Sequence, residues 1–182
     1  GIISKLSRLT WPKKRFVRGQ GSLFGSRFSL FLANPKQMSI SETAKKYLGQ
    51  TEKSGNMGFN DAEFEKKMTA VGFHLHDSWC CYFQELVVKE ALPEKFKEWD
   101  KLFSANANLT LENFRKAGYE ISATPVMDSL VVWRQMKDGN PVNVGTTDKP
   151  IYTGHIGCVC TTNQKDTALF ESIEGNTSTP GV

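Results

Sequence analysis

The period of the apolar pattern changes near residue 120, and that change constrains the fold more than any other feature of the chain. Before it the signals are helical. Ser39 followed by Glu42 forms a capping box for a helix through Leu48, stopped at Gly49. Asn60 with Glu63 repeats the box, with Phe64, Met68 and Val71 at helical spacing and Gly72 as the stop. A third helix is expected from about Trp79 to Ala91, with Phe83, Leu86, Val87 and Ala91 on its buried side. Pro93 suits the first turn of a further helical stretch through Phe103, and Thr110 to Ala117 reads as a short helix closed by Gly118. After residue 120, Leu130 to Trp133, His155 to Thr161 and Ala168 to Ile173 are β-rich runs separated by Gly, Asn, Asp and Pro. Helices first and strands later predict an α+β fold, with N-terminal helices packed on a C-terminal antiparallel β-sheet.

Charge divides the chain at a different point. Residues 1–40 hold eight Lys or Arg and no Asp or Glu, so the remaining 15 basic and 19 acidic residues leave residues 41–182 at −4, against +4 for the whole. This predicts a basic arm over 1–40 and a globular domain over 41–182. Such an arm suits nucleic acid, an anionic membrane, a polyanionic wall polymer or another protein, or is simply a solvated terminus. The arm superficially resembles a transit peptide, whereas a secretory signal fits poorly because Arg27 splits its apolar stretch. The chain begins at Gly1 rather than Met, which leaves a processed product or a fragment open. Its best apolar run, Phe28 to Ala33, is far shorter than the ~20 residues of a transmembrane helix.

Four cysteines stand in two close pairs, Cys80-Cys81 and Cys158-x-Cys160, and neighbouring cysteines are poorly placed to bridge one another. A secreted disulfide framework is not suggested. Cys80 instead stands at an expected helix start, where unpaired N–H groups and the helix dipole stabilise a thiolate. The alternative is that both Cys80 and Cys81 are small buried hydrophobes. A nucleophilic cysteine needs a base, and the histidines are His74, His76 and His155. His74 and His76 are too near Cys80 in sequence to reach back easily. His155 follows Gly154 at the start of a strand, a rigid place to hold an imidazole. Glu174 and Asn176 are two apart and share a face if the strand continues, so either could accept His155 Nδ1–H and fix its tautomer.

A Trp-Cys helix start, a Gly-His strand and a Glu-x-Asn strand occur here in that order. The matching segments are Gly55 to Met68, Trp79-Cys80-Cys81-Tyr82-Phe83, Met127 to Trp133, Gly154-His155-Ile156-Gly157 and Glu174-Gly175-Asn176-Thr177. With this order and spacing, about residues 41–178 resemble the CHAP (cysteine, histidine-dependent amidohydrolase/peptidase) domains of phage endolysins and related wall hydrolases. That family is close to the NlpC group and papain-like in fold. The resemblance implies Cys80 as nucleophile, His155 as general base, Glu174 or Asn176 orienting it, and Cys81 in a packing position. A backbone N–H of Cys80 or Cys81 would then be an oxyanion donor. The substrate would be an amide of peptidoglycan, cleaved as an amidase or an endopeptidase in a released lysin or a virion component acting on the bacterial wall. No cofactor is implied, and although some relatives use calcium, no ligand set for it is evident.

The chain departs from that family in two respects. Such domains continue past Glu-Gly-Asn-Thr into a last strand, so either the sheet edge is missing or another part of the chain closes it. There is also no wall-binding module, so targeting would come from elsewhere, such as virion or tail proteins met through residues 1–40. Two rival readings stand beside the hydrolase. His74-x-His76 and the cysteine pairs supply zinc-ligand types but lack a C-x₂-C knuckle, so no metal is expected. A catalytically idle hydrolase-like module of a virion, with an arm on nucleic acid or membrane, is the other. Trp11, Phe16, Phe24, Phe28 and Phe31 interleave with the basic residues in no stacking pattern, which weakens the nucleic-acid reading.

Overall fold

Ser39 opens the first helix in the computed structural model of the chain, which describes residues 1–8, 38–163 and 169–177. The capping box forms as expected: Glu42 N–H donates to Ser39 Oγ at 3.2 Å and Ser39 N–H to Glu42 Oε2 at 3.0 Å. Asp128 Oδ1 accepts a further bond from Ser41 N–H at 2.9 Å, tying the helix start to the turn before the sheet. This helix, α1, spans Ile40–Lys45 and ends three residues before Leu48, the chain reaching Gly49 through turns.

Helix α2 (Ala62–Thr69) is capped by Asp61 and not by Asn60. Asp61 Oδ1 takes the Phe64 N–H at 2.8 Å, while the Asn60 amide donates to Thr51 Oγ1 at 2.8 Å and is spent on the preceding loop. Helix α3 (Cys80–Ala91) buries Phe83, Leu86, Val87 and Ala91. Pro93 begins α4 (Pro93–Trp99), which tightens into a 3-10 turn at Asp100–Leu102. Helix α5 (Ala107–Lys116) starts three residues before Thr110, because Asn106 Oδ1 caps it through the Leu109 N–H at 2.9 Å.

The fold is α+β with an antiparallel sheet. Its strands are β1 (Ile3–Arg8), β2 (Leu130–Arg134), β5 (Gly154–Thr162) and β6 (Leu169–Glu174), in the order β1-β6-β5-β2. Between β2 and β5 the short strands β3 (Met136–Lys137) and β4 (Asn140–Pro141) pair as a hairpin. The simple order of helices then strands needs correction, since β1 comes from the start of the chain. It lies within the segment read as an arm; residues 9–37 of that segment are outside the described residues. Ile3-Ser-Lys-Leu-Ser-Arg has apolar residues three apart, which is not a strand period, so sequence pattern gave no sign of it.

Helices α1 and α3 lie on β5 and β6, and α5 lies over β2 and β5. Between the first two and the sheet is the main core, in which Cys158, Cys160 and Ile173 of the strands meet Ala44, Phe83 and Val87 of the helices. It continues into an aromatic cluster where Phe59 meets Trp79 edge-on at 5.0 Å and Phe64 meets Phe83 at 6.4 Å. Edge-on pairs of this kind add about 0.5–1.5 kcal/mol each beyond the area they bury. No described helix is long and apolar enough to cross a membrane.

Candidate active site

Trp79 determines where α3 begins. Its side chain is wholly buried against Phe59, Phe64 and Phe83, and its indole N–H donates to the Glu52 carboxylate. No side chain caps the helix, and the first intrahelical bond runs from Phe83 N–H to Trp79 O at 2.9 Å. The first-turn amides of Cys80, Cys81 and Tyr82 therefore lack helical acceptors, as at any helix start. Cys80 stands among them, 5% exposed and packed with Cys81, Ala107 and Ile156.

The sheet brings His155 to this point. His155 is the second residue of β5 and pairs across the ladder with Trp133, whose ring lies 5.9 Å from the imidazole. Gly157 pairs with Glu174 on β6, and a Cβ at Gly157 would stand 2.8 Å from Glu174 Cγ. The bare backbone there lets the carboxylate lie across the strand, and Glu174 Oε2 reaches His155 Nε2 at 3.1 Å. The approach is off the line of an N–H bond, so the contact acts as an ion pair, with Nε2 screened from water. Glu174 is almost fully buried, and its Oε1 accepts the Ser172 hydroxyl at 2.6 Å. Gly175 then passes directly under Trp79, since a Cβ on it would lie 2.5 Å from Trp79 Cζ3. Trp79, Gly175 and Gly157 together fit the helix start to the two strand ends.

The electrostatics match this geometry. The Cys80 thiol is drawn down to about 5: a bond from Cys81 does most, and His155 and the Ile156 N–H add to it, against the opposing effect of burial. His155 is lowered by burial, but its interactions with Cys80 and Glu174 outweigh this and raise it to about 9. Cys81 is pushed far up by its bond to Cys80 and by burial, so it stays a thiol. Both shifts run in the direction that favours a thiolate beside an imidazolium.

Three residues singled out from the sequence converge here, namely Cys80, His155 and Glu174. The ring nitrogen facing Glu174 is Nε2 rather than the expected Nδ1, which leaves Nδ1 as the nitrogen available to Cys80. Asn176 lies past the end of β6 with a left-handed φ of +59°, so the face shared by residues two apart on a strand stops at Glu174. His74 is highly exposed and its Nδ1 stands 3.7 Å from Asp77, while His76 Nδ1 contacts Gly55 O at 3.2 Å. Among the described residues no group of three His, Cys, Asp or Glu side chains is arranged to hold a metal ion. All four cysteines are free and buried. Ser172 was not read from the sequence, although its spacing of two from Glu174 on a strand would have placed both on one face. No protein-family model, no curated protein and no solved structure matches the chain.

Proposed function

We propose that this chain is a cysteine-dependent peptidoglycan hydrolase of the CHAP type, papain-like in fold, cleaving an amide of the bacterial wall through a thioester on Cys80. The supporting observation is the line of Cys80, His155 and Glu174, its two ends buried and the imidazole half-buried between them, with the thiol drawn down and the imidazole raised. Cys80 Sγ attacks the amide carbonyl carbon, and the oxyanion is received by amides at the start of α3. The His155 imidazolium gives its proton to the leaving amine. Neutral His155 then takes a proton from water as that water attacks the thioester, releasing the acid and restoring the thiolate. Glu174 holds the imidazole in place and balances its charge.

The order of motifs supports a phage lysin, released or carried in a virion, with the wall as its place of action. The test is digestion of purified peptidoglycan of several wall types by the parent and by Cys80→Ala, with products read by mass spectrometry. Fragments that depend on Cys80 identify the bond and separate amidase from endopeptidase. Failure of a folded parent to cut any wall would overturn this reading in favour of an idle structural module.

A further inference from the structure

Arg134 ends β2 opposite Gly154, one ladder position from the Trp133–His155 pair. Side chains alternate along a strand, so Arg134 follows Leu130 and Val132, both packed against the cluster that contains Cys80. It therefore stands on the nucleophile's side of the sheet, one strand step, about 7 Å, beyond Val132.

Its guanidinium is held in place from two directions. Arg134 Nε–H donates to Asn108 Oδ1 at 3.1 Å, and the guanidinium carbon lies 4.9 Å from the centre of the Tyr152 ring. Asn108 is itself only 4% exposed, and its amide nitrogen donates to Tyr152 O at 3.2 Å. Asn106 donates to the same carbonyl at 3.0 Å. Gly154 completes the support, because a Cβ there would stand 2.4 Å from Asn108 Nδ2. Asn108 directly follows Ala107, the α5 residue packed in the Cys80 cluster. An exposed arginine anchored in this way has lost most of its side-chain freedom before any ligand arrives. Nε is used internally, and among the described residues no carboxylate pairs with Arg134. With Nε used internally, the two terminal nitrogens of this exposed residue keep the planar fork that takes a carboxylate through two parallel bonds.

We infer that Arg134, fixed by Asn108 and Tyr152, is a carboxylate-binding subsite beside Cys80. It selects amide substrates that carry a free carboxylate close to the scissile bond. This rests on the reading of Cys80 as the nucleophile; wall peptide stems have such carboxylates next to their amides.

The test does not require the natural substrate. Iodoacetate and iodoacetamide both alkylate a thiolate by displacing iodide, and they differ in that only the first has a carboxylate. Rates on Cys80 are measured for both reagents at pH 7 in the full chain, with the modified residue identified by mass spectrometry. Taking the ratio of the two rates cancels any change in the thiolate itself. The ratio of iodoacetate to iodoacetamide is expected to exceed that of a free cysteine in the parent. It should fall about tenfold in Arg134→Gln, and about threefold in Arg134→Lys, which keeps the charge but not the fork. A ratio unchanged in Arg134→Gln, with Cys80 still reactive toward iodoacetamide, overturns the subsite and leaves the nucleophile standing. A Cys80 in the folded parent that reacts with neither reagent overturns both.

Discussion

His155 Nε2 lies 3.1 Å from Glu174 Oε2, so the imidazole of one strand and the carboxylate of the next form an ion pair. The pair fixes which protonation states are productive. Cys80 is lowered to about 5, so it loses its thiolate as pH falls through that value. His155 is raised to about 9, so it loses its charge as pH rises through that value. The rate of Cys80 alkylation by iodoacetamide should rise near pH 5, well below where an ordinary thiol responds. Wall cleavage as kcat/KM should follow a bell with limbs near the same two values, and a single limb near 8–9 would remove the ion pair.

Glu174 and Asn176 are separated by mutation. Glu174→Ala should lower kcat/KM by about 10²–10³-fold, and Glu174→Gln should move the basic limb to lower pH by removing the charge beside the imidazole. Asn176→Ala should stay within about threefold in rate while losing about 1 kcal/mol of stability at its left-handed φ. Rate profiles and urea melts of the three variants check this.

Ser172 acts on the site through Glu174. Removing its hydroxyl in Ser172→Ala takes a hydrogen bond from a buried carboxylate and should cost about 1–3 kcal/mol in denaturant unfolding. The basic limb of the rate profile should move down as the carboxylate is less firmly aimed.

Gly157→Ala tests the close approach of the strands. The added methyl would be 2.8 Å from Glu174 Cγ and 3.1 Å from Ile173 O, so the carboxylate must withdraw from His155. A loss of about 1–3 kcal/mol in stability is expected from overpacking. The drop in kcat/KM should exceed that of Ser172→Ala.

Glu85, on α3 with Cys80, is raised to about 7 by burial and then by Asp100, against the pull of Lys89. Its protonated form is favoured by folding, so that stabilisation is present at low pH and is lost as pH rises through about 7. Glu85→Gln should therefore be more stable than the parent at pH 8, by about 1–2 kcal/mol once solvent screening of the partly exposed carboxylate is allowed for. The two should converge near pH 4, as thermal melts at both pH values will show.

Local chemistry explains what the sequence revealed. The Ser39–Glu42 box and the spacing of Phe83, Leu86, Val87 and Ala91 are encoded within a few residues, and each formed. Asp61 displaced Asn60 as a cap because Asn60 had a partner in Thr51, which adjacency in sequence does not announce. The placement of Cys80 at a helix start and of His155 at a strand start was legible because both are local signals. The choice of Glu174 over Asn176 was not, since it depends on where β6 ends and on the bare backbone of Gly157 across the ladder. The anchoring of Arg134 through Asn108 joins α5 to β2 and has no local signature at all.

Strand β1 takes the edge of the sheet beside β6 and pairs Ile3 with Glu174. A ribosome makes β1 first and β6 after all the helices, so at ordinary synthesis rates β1 waits on the order of ten seconds for its neighbour. Closing so long a loop is entropically slow and makes the pairing a late folding event. The helix bearing Cys80 can assemble well before the carboxylate strand is held on both sides, so His155 gains its ion-pair partner Glu174 only late. The ion pair between His155 and Glu174 thus waits on a long-range strand pairing.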